Sequence, residues 1–530
     1  MPAIVSRRSS RLRLSGRGLL GAAVALLFAS APASAQTSTY EQLQTFSGLL
    51  SQIRLNYVDS VTTAHLVRGA IDGMLGSLDP HSYFLGGEDA GRLEAWRAGR
   101  LAATGIEVEE AEGVITVSSV YPRSPAANAG VAPGDRIVAI DDSTVAGLSG
   151  PKVQTLLIGE KGTRVRIKLE RGSRLEPETV SVRVRNDDIR PVSVTVARTL
   201  PGDIGYVRLV EFLPESAREV QRAIDHVVHG HQGRLILDLR GNPGGAVIAA
   251  VEIASLFFPK GQVVFRVRGR RHDIAHDYLT EHDGDYKDLQ LIVLIDEHSA
   301  SASEALTGSL QDHDRALVLG RRSFGKALMQ MPFPVPPNND AVWLTVGYIL
   351  TPNGRLIQRR YAGLTKEQYY DFAGRTGAAA DTANVYHTDG GRPIRGGGGI
   401  EPDSVLPSPA ALPVWWVAAA DSGYLTTVAD SVAGSLAAPM TQDVWASSPA
   451  EWRTRLMPPL LTRARSRLGI RGDVDSAAQA RMARALASRV AEVRWGVDAD
   501  DDLRLRSDAD IAAALTLFPK AAALLHNGGH

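Results

Sequence analysis

The chain has 530 residues, 44% of them hydrophobic, with 58 basic residues balanced by 58 acidic ones and no cysteine. That length exceeds one ordinary domain, and zero net charge offers no field to draw the mature chain onto nucleic acid or an anionic membrane. The missing cysteine excludes disulfides, a thiol nucleophile and cysteine-ligated zinc at once.

Arg7, Arg8, Arg11, Arg13 and Arg17 precede an apolar run from Leu19 to Ala29, followed by Pro32 and Ala33-Ser34-Ala35. This is the basic, apolar, small-residue order of a secretory signal, so residues 1–35 read as a signal peptide and the remainder as exported, to the periplasm or beyond. The apolar run falls short of the about 20 residues that span a bilayer, yet left uncleaved it would tether the chain to a membrane. Residues 36–96 form an N-terminal helical segment, with Leu43, Phe46, Leu49, Leu50 and Ile53 at three- and four-residue spacing. Short alternating strands at 106–108 and 114–117, then Ser124-Pro125-Ala126, Pro133-Gly134-Asp135, a helix near 152–158 and a strand at 164–169, close a compact unit over 97–187.

From 188 to 405 strands alternate with helices, the pattern of α/β units. Leu235-Ile236-Leu237-Asp238-Leu239 leads through Arg240-Gly241-Asn242-Pro243-Gly244-Gly245 into an apolar helix, and Leu291–Ile295 leads through 296–300 into a helix near 302–311. Residues 361–399, rich in Gly, Ala and Thr, read as an insertion. The tail, 406–530, holds Ala/Arg-rich helices such as 477–493, with Met482, Ala485, Leu486 and Val490 on one face and no role assigned.

The chemistry concentrates in Ser299-Ala300-Ser301-Ala302-Ser303-Glu304, where a buried strand turns into a helix N-terminus. There a serine can attack a carbonyl while the Ala302 N–H holds the oxyanion. Ser301 and Glu304 also spell the S-x-x-E capping box, and these six residues alone fit a cap better than a nucleophile. The balance shifts at Ser323-Phe324-Gly325-Lys326-Ala327-Leu328-Met329-Gln330. On a strand, Lys326, Leu328 and Gln330 would share a face, a base beside an orienting amide. A serine needs such a base, and lysine serves only if burial lowers its pKa from about 10.4. Phe324, Leu328 and Met329 would supply the burial. A second oxyanion N–H would come from Gly244 or Gly245.

Other chemistries find less support. No G-x-S-x-G or H-E-x-x-H occurs, and Ser149-x-x-Lys152 and Ser323-x-x-Lys326 lack the S-D-N and K-T-G that accompany S-x-x-K elsewhere. His272 and His276 could share a helical face but read as solvated surface. Asp312 lies about 16 Å along the helix from Ser301, too far for a triad. No metal or other cofactor is expected.

Tyr57-Val58-Asp59, Ser77-Leu78-Asp79-Pro80-His81-Ser82, Gly130 with Pro133-Gly134-Asp135, Asp238-Leu239-Arg240, Asn242–Gly245, 299–304, Phe324-Gly325-Lys326 and Ile400–Asp403 occur in that order. In this the chain resembles the carboxyl-terminal processing peptidases, also called tail-specific proteases, across residues 45–360. The resemblance implies a multidomain α/β chain with N-terminal helices, a PDZ-like β-rich domain at 97–187, a crotonase-like peptidase core at 188–405 and a C-terminal helical tail. It implies Ser301 as nucleophile, Lys326 as general base and Gln330 as its supporting amide. The family usually has glycine where this chain has Ala327. The PDZ-like domain would add an extended peptide to a sheet edge and hold its carboxylate on backbone N–H groups at Thr104-Gly105-Ile106. Partners would be proteins or peptides with free C-termini and no nucleic acid; oligomeric state is open. The competing reading is a catalytically silent periplasmic peptide-binding scaffold, which would need no Ser301, Lys326 and Gln330 together.

Overall fold

The computed structural model describes residues 39–97, 100–111, 114–121, 124–131, 135–171, 178–189, 192–228, 233–364, 369, 384–410, 412–413, 415–416, 419 and 423–527. The expected signal segment lies outside the described residues, as do Pro133, Gly134 and positions 365–368 and 370–383 of the Gly/Ala-rich insertion. The chain divides into two compact units after Met74. The first holds the helix Thr39–Asn56, whose Leu43, Phe46 and Leu49 stand exposed, and most of the helix Thr63–Gly76.

The second unit opens with a strand, β1 (Tyr83–Leu85), inside the stretch read from sequence as helical. Asp79-Pro80 interrupts the helical run, and β1 pairs antiparallel with a long strand further on, Tyr83 opposite Trp343. After the helix Gly87–Arg97 come β2 (Ala102–Ala103), β3 (Ile106–Ala111), β4 (Val114–Val120), β5 (Arg136–Ile140), β6 (Ser143–Thr144), β7 (Ile158–Gly159), β8 (Arg164–Arg171) and β9 (Glu178–Arg185). β2 and β7 pair with each other, and the rest build an antiparallel sheet in the order β3-β4-β5-β8-β9, with β6 on β5. Ile115 and Val117 on β4, and Val165, Ile167 and Leu169 on β8, face inward two residues apart, and Ile137 and Ile140 of β5, where the register with β8 shifts, join them. This sheet therefore encloses its own core, together with Val153 and Leu157. The helix Gly150–Leu156 lies against β3.

The larger core contains β10 (Val194–Leu200), β11 (Ile204–Leu209), β12 (Arg234–Asp238), β13 (Val263–Gly269), β14 (His276–Leu279), β15 (Gln290–Ile295), β16 (Leu317–Gly320), β17 (Leu328–Val335), β18 (Asp340–Leu350), β19 (Val385–His387), β20 (Pro393–Arg395) and β21 (Ser404–Val405). Its main sheet runs β10-β11-β12-β15-β16-β21, parallel except for β10. Parallel strands covered on both faces read as unbroken apolar runs, which is why Leu235–Leu237 and Leu291–Ile295 do not alternate. Leu235, Leu237, Leu291 and Val293 face the helices Ser216–Val227, Val247–Ser255 and Ala302–Asp312. Ile236, Ile292 and Leu294 face the other way, onto Ile511, Ala514 and Phe518 of the helices Ala509–Thr516 and Phe518–Asn527. The C-terminal segment thus supplies the second layer of the sheet.

The remaining tail helices, Tyr424–Ser435, Gln442–Ala446, Pro449–Leu468, Ser476–Trp495 and Val497–Arg506, pack around Trp445, Trp452, Leu456, Met482 and Leu486. The buried face of Ser476–Trp495 passes through Ala483 and Ala487, whereas Ala485 is exposed. Trp445 is fully buried and its indole N–H donates to the Ala487 carbonyl at 3.0 Å. Trp445→Ala should therefore cost about 3–5 kcal/mol in the cooperative unfolding of this bundle. Denaturant unfolding followed by tryptophan fluorescence checks this; a loss below about 1 kcal/mol would mean the bundle closes over the gap.

Candidate active site

Three loops meet where β12, β15 and β16 end, the edge at which parallel α/β sheets place their ligands. The β12 loop carries Asn242–Gly245, the β15 loop Ser299–Ser301 and the β16 loop Ser323–Ala327. Ser301 is the N-cap of the helix Ala302–Asp312, at φ 57 and ψ −113. A positive φ is uncommon for a residue with a side chain and costs about 1–3 kcal/mol, so the surroundings must hold it there.

Glu304 does much of that holding. One carboxylate oxygen accepts the Ser301 N–H at 2.9 Å and the Lys326 N–H at 2.8 Å. The other accepts the Ser323 hydroxyl at 2.5 Å and the Gly325 N–H at 2.6 Å. The capping-box pairing is thus present, but it is one contact of four, and the others reach the loop that carries Lys326. Burial pushes the Glu304 carboxyl up to about 7, against the pull of its four donors.

Lys326 departs from the expected geometry. β17 begins only at Leu328, and its register with β18 shifts between Met329 and Gln330, so Lys326, Leu328 and Gln330 do not share a regular strand face. Lys326 stands instead on the loop tied to Glu304, between buried Phe324 and Leu328. Burial lowers its ammonium pKa, opposed by the charges of Asp79 and Glu304. Ala327 is buried without a positive φ, its N–H on Gln358 Oε1 at 2.7 Å, so alanine fits where the family usually has glycine. Among the described residues no hydrogen bond joins the side chains of Ser301, Lys326 and Gln330, and Gln330 Nε2 is buried without a partner. Asp79, from the Leu-Asp-Pro-His-Ser stretch, accepts the His81 and Ser82 N–H groups, both at 2.8 Å, and the Ser82 hydroxyl at 2.7 Å.

The glycine loop presses on the serine. A Cβ on Gly244, at φ 102, would lie 2.8 Å from Ser301 Cβ and 2.9 Å from the Ala302 nitrogen. Of the two glycine amides, that of Gly244 is already spent on Asn242 Oδ1 at 2.9 Å. Gly245 N–H and Ala302 N–H have no acceptor among the described residues. Asn242 also gives its side-chain N–H₂ to Leu209 O, and its carbonyl accepts the Ala300 N–H and the Ser303 hydroxyl. Sequence reasoning named Asn242 and Asp79 in motifs without a role, and saw Glu304 only as a cap, because Leu209, Ala300 and the Lys326 loop that Asn242 and Glu304 bind come from distant segments.

The expected carboxylate loop is buried. Thr104 N–H donates to Leu157 O at 3.1 Å, and a Cβ on Gly105, at φ 88, would meet Ser124 Cβ at 2.3 Å. The free edge of β3 beyond it is occupied too: Gln154 Nε2 donates to Ile106 O at 2.9 Å and Gln154 Oε1 accepts Val108 N–H at 3.0 Å. A bonded path leaves this loop for the core. Tyr121 N–H donates to Gly105 O, its hydroxyl donates to Glu211, and the neighbouring Phe212 brackets Gly244–Ala246 with its N–H and carbonyl. His272 and His276 are exposed, and His276 lies on β14, not on a helix. Asp312 is buried at the far end of its helix against Arg355.

Residues 203–369 match the model of peptidase family S41, 116–171 that of a PDZ domain, and 26–88 that of the activating protease CtpB N-terminal domain. A carboxy-terminal-processing protease of Bartonella bacilliformis is 34% identical over 348 residues, 64% of this chain and 78% of its own. The carboxy-terminal processing protease CtpA of Bacillus subtilis is 29% identical over 58% of this chain and 65% of its own. The solved photosystem II D1 C-terminal processing protease aligns over 70% of this chain and 90% of its own, at 24% identity and a TM-score of 0.46. The chain belongs to the carboxy-terminal-processing proteases of peptidase family S41. It joins that protease core to a PDZ domain and N- and C-terminal helices.

Ionised Glu304 can accept all four of its bonds, whereas protonated it sets its own O–H against a donor. Its ionised form fills in as pH rises through about 7, so peptide hydrolysis should climb between about pH 6 and 8. Its contribution to stability runs oppositely: present in full below the unfolded value of 4.5, it is lost as pH rises through about 7. Glu304→Gln, with one acceptor oxygen for four donors, should lower turnover at least about tenfold and remove that climb. Matched pH–rate profiles decide; an unchanged profile in the variant would discard this role for Glu304.

Proposed function

We propose that the chain is an exported serine endopeptidase that captures protein C-terminal tails on its PDZ domain and cleaves peptide bonds with a Ser301–Lys326 dyad. The single observation that carries this reading is the Glu304 oxygen shared by the Ser301 and Lys326 N–H groups. It ties the backbone turn of a serine at positive φ to the turn of a lysine whose burial favours the neutral base, which supports a dyad of the two. In acylation the Ser301 oxygen bonds to the scissile carbonyl carbon as its proton passes to Lys326 Nζ. Ala302 N–H and Gly245 N–H stabilise the oxyanion. The carbon–nitrogen bond then breaks, Lys326 returns the proton to the leaving amine, and water repeats the sequence to free Ser301. Gln330, whose buried Nε2 has no partner among the described residues, serves to orient the lysine. The basic, apolar and small-residue order of residues 1–35 supports export.

Ser301→Ala should abolish peptide hydrolysis with a stability loss of no more than about 0.5–2 kcal/mol. Lys326→Arg should be as inactive as Lys326→Ala, because a guanidinium stays protonated. Assays on an unstructured protein substrate check both; wild-type turnover in either variant would discard the dyad.

Tail capture requires a peptide strand on the edge of β3 that Gln154 now holds. Wild-type enzyme should bind and cleave a peptide with a free C-terminus in preference to its amide. Gln154→Ala should raise affinity for the free acid about fivefold or more, since two hydrogen bonds worth about 0.5–1.5 kcal/mol each no longer compete. Fluorescence anisotropy with the peptide pair reads both effects. Equal binding of acid and amide would remove the tail-capture reading; equal affinity in wild type and variant would show that Gln154 does not compete.

A further inference from the structure

One carboxylate of the tail helices holds two of the catalytic loops. Asp510 is the second residue of the helix Ala509–Thr516, and its Oδ2 accepts Arg240 Nη1 and Arg321 Nη2, both at 2.9 Å. Arg321 adds a longer contact to Oδ1, at 3.3 Å. All three side chains are nearly buried, at 11–12% exposure. Arg240 begins the loop that runs to Gly244 and Gly245, and Arg321 begins the loop that runs to Lys326.

These loops leave β12 and β16, which are not neighbours: β15, the strand that leads to Ser301, lies between them. Two inter-strand steps of about 4.8 Å separate β12 from β16, so no backbone ladder fixes one loop against the other. Asp510 spans that gap from the second face of the sheet. Its neighbour Asp508 touches only Arg240 of the pair and is otherwise the N-cap of the same helix.

We infer that Asp510 is a positioning residue for the peptidase reaction, fixing the oxyanion loop against the general-base loop, and that the C-terminal helical segment is therefore a working part of the active site. This rests on the dyad reading above. Misplacing catalytic groups by about 1 Å costs up to about 100-fold in rate, whereas a carboxylate that only anchors a helix would change stability alone.

The test uses the full chain with a free-acid peptide, measuring kcat, KM and Tm for Asp510→Asn, Ile511→Ala and Ser301→Ala. Ile511 is buried on the same helix and touches neither arginine through a charge, so Ile511→Ala loosens the docking without removing the carboxylate. Well below every Tm, Asp510→Asn should lower kcat about 10- to 100-fold with KM within about threefold, while Ile511→Ala keeps kcat within about threefold despite a lower Tm. If Asp510→Asn does not yield folded protein, Asp510→Glu, which keeps the charge on a longer arm, carries the same comparison. An Asp510 variant with kcat near wild type, or losses of kcat that track Tm in both helix variants, overturns the inference. An inactive Ser301→Ala beside an unimpaired Asp510 variant overturns this inference alone; an active Ser301→Ala overturns the dyad and this inference with it.

Discussion

A carboxylate taken out of water is expensive, and the Glu304 carboxylate is 1% exposed. Its burial is tolerable only because four donors converge on it, and three of the four are backbone N–H groups. Side chains can rotate away from an unsatisfied partner, but a backbone amide moves only with its loop. Glu304 therefore fixes two chain segments at once, the turn that carries Ser301 and the turn that carries Lys326. Glu304 also helps hold Ser301 at its positive φ, because the Ser301 N–H is bonded to the helix's own third residue. Burial raises the carboxyl while its four donors call for the ionised form, so conditions that favour the network chemically are those in which Glu304 stabilises the fold least.

Around that clamp the sheet acts as a ruler. Parallel pairing sets the ends of β12, β15 and β16 at one edge, and each contributes one loop to the site. Asn242 then laces the β12 loop to both β11 and the start of the Ala302–Asp312 helix. The Gly244 amide is consumed in this lacing, which leaves Gly245 as the glycine whose N–H can still serve an oxyanion.

Much of this was legible in the residues. The runs Leu235–Leu239 and Leu291–Ile295 announced doubly covered parallel strands, and the helix after Ser301 starts where the turn chemistry placed it. Ser301 and Lys326 stood out because each sits in an unusual local string. What stayed hidden was set by partners far away in sequence. Lys326 looked like a strand residue because Leu328 and Gln330 follow at period two, yet its N–H is claimed by Glu304 and it never joins the ladder. Tyr83–Leu85 looked helical until pairing with Asp340–Leu350 was available to it. The tail offered helices without a purpose, because the sheet face that Ile511 and Phe518 cover is formed by strands far earlier in the chain.

The Gln154 contact on β3 bears on a hazard common to every protein that reads peptides by strand addition. Such a protein must keep a sheet edge open, and an open edge is a template for any unfolded chain that drifts past, including a copy of itself. Proline would silence the edge for good and the binding function with it. A side-chain amide offers one donor and one acceptor in the same positions as an incoming backbone, and it can swing away on a single flexible arm. The edge is then closed to casual pairing and open to a strand that brings an additional source of binding, such as a terminal charge. Selectivity against internal segments and resistance to aggregation would in that case be two results of one glutamine.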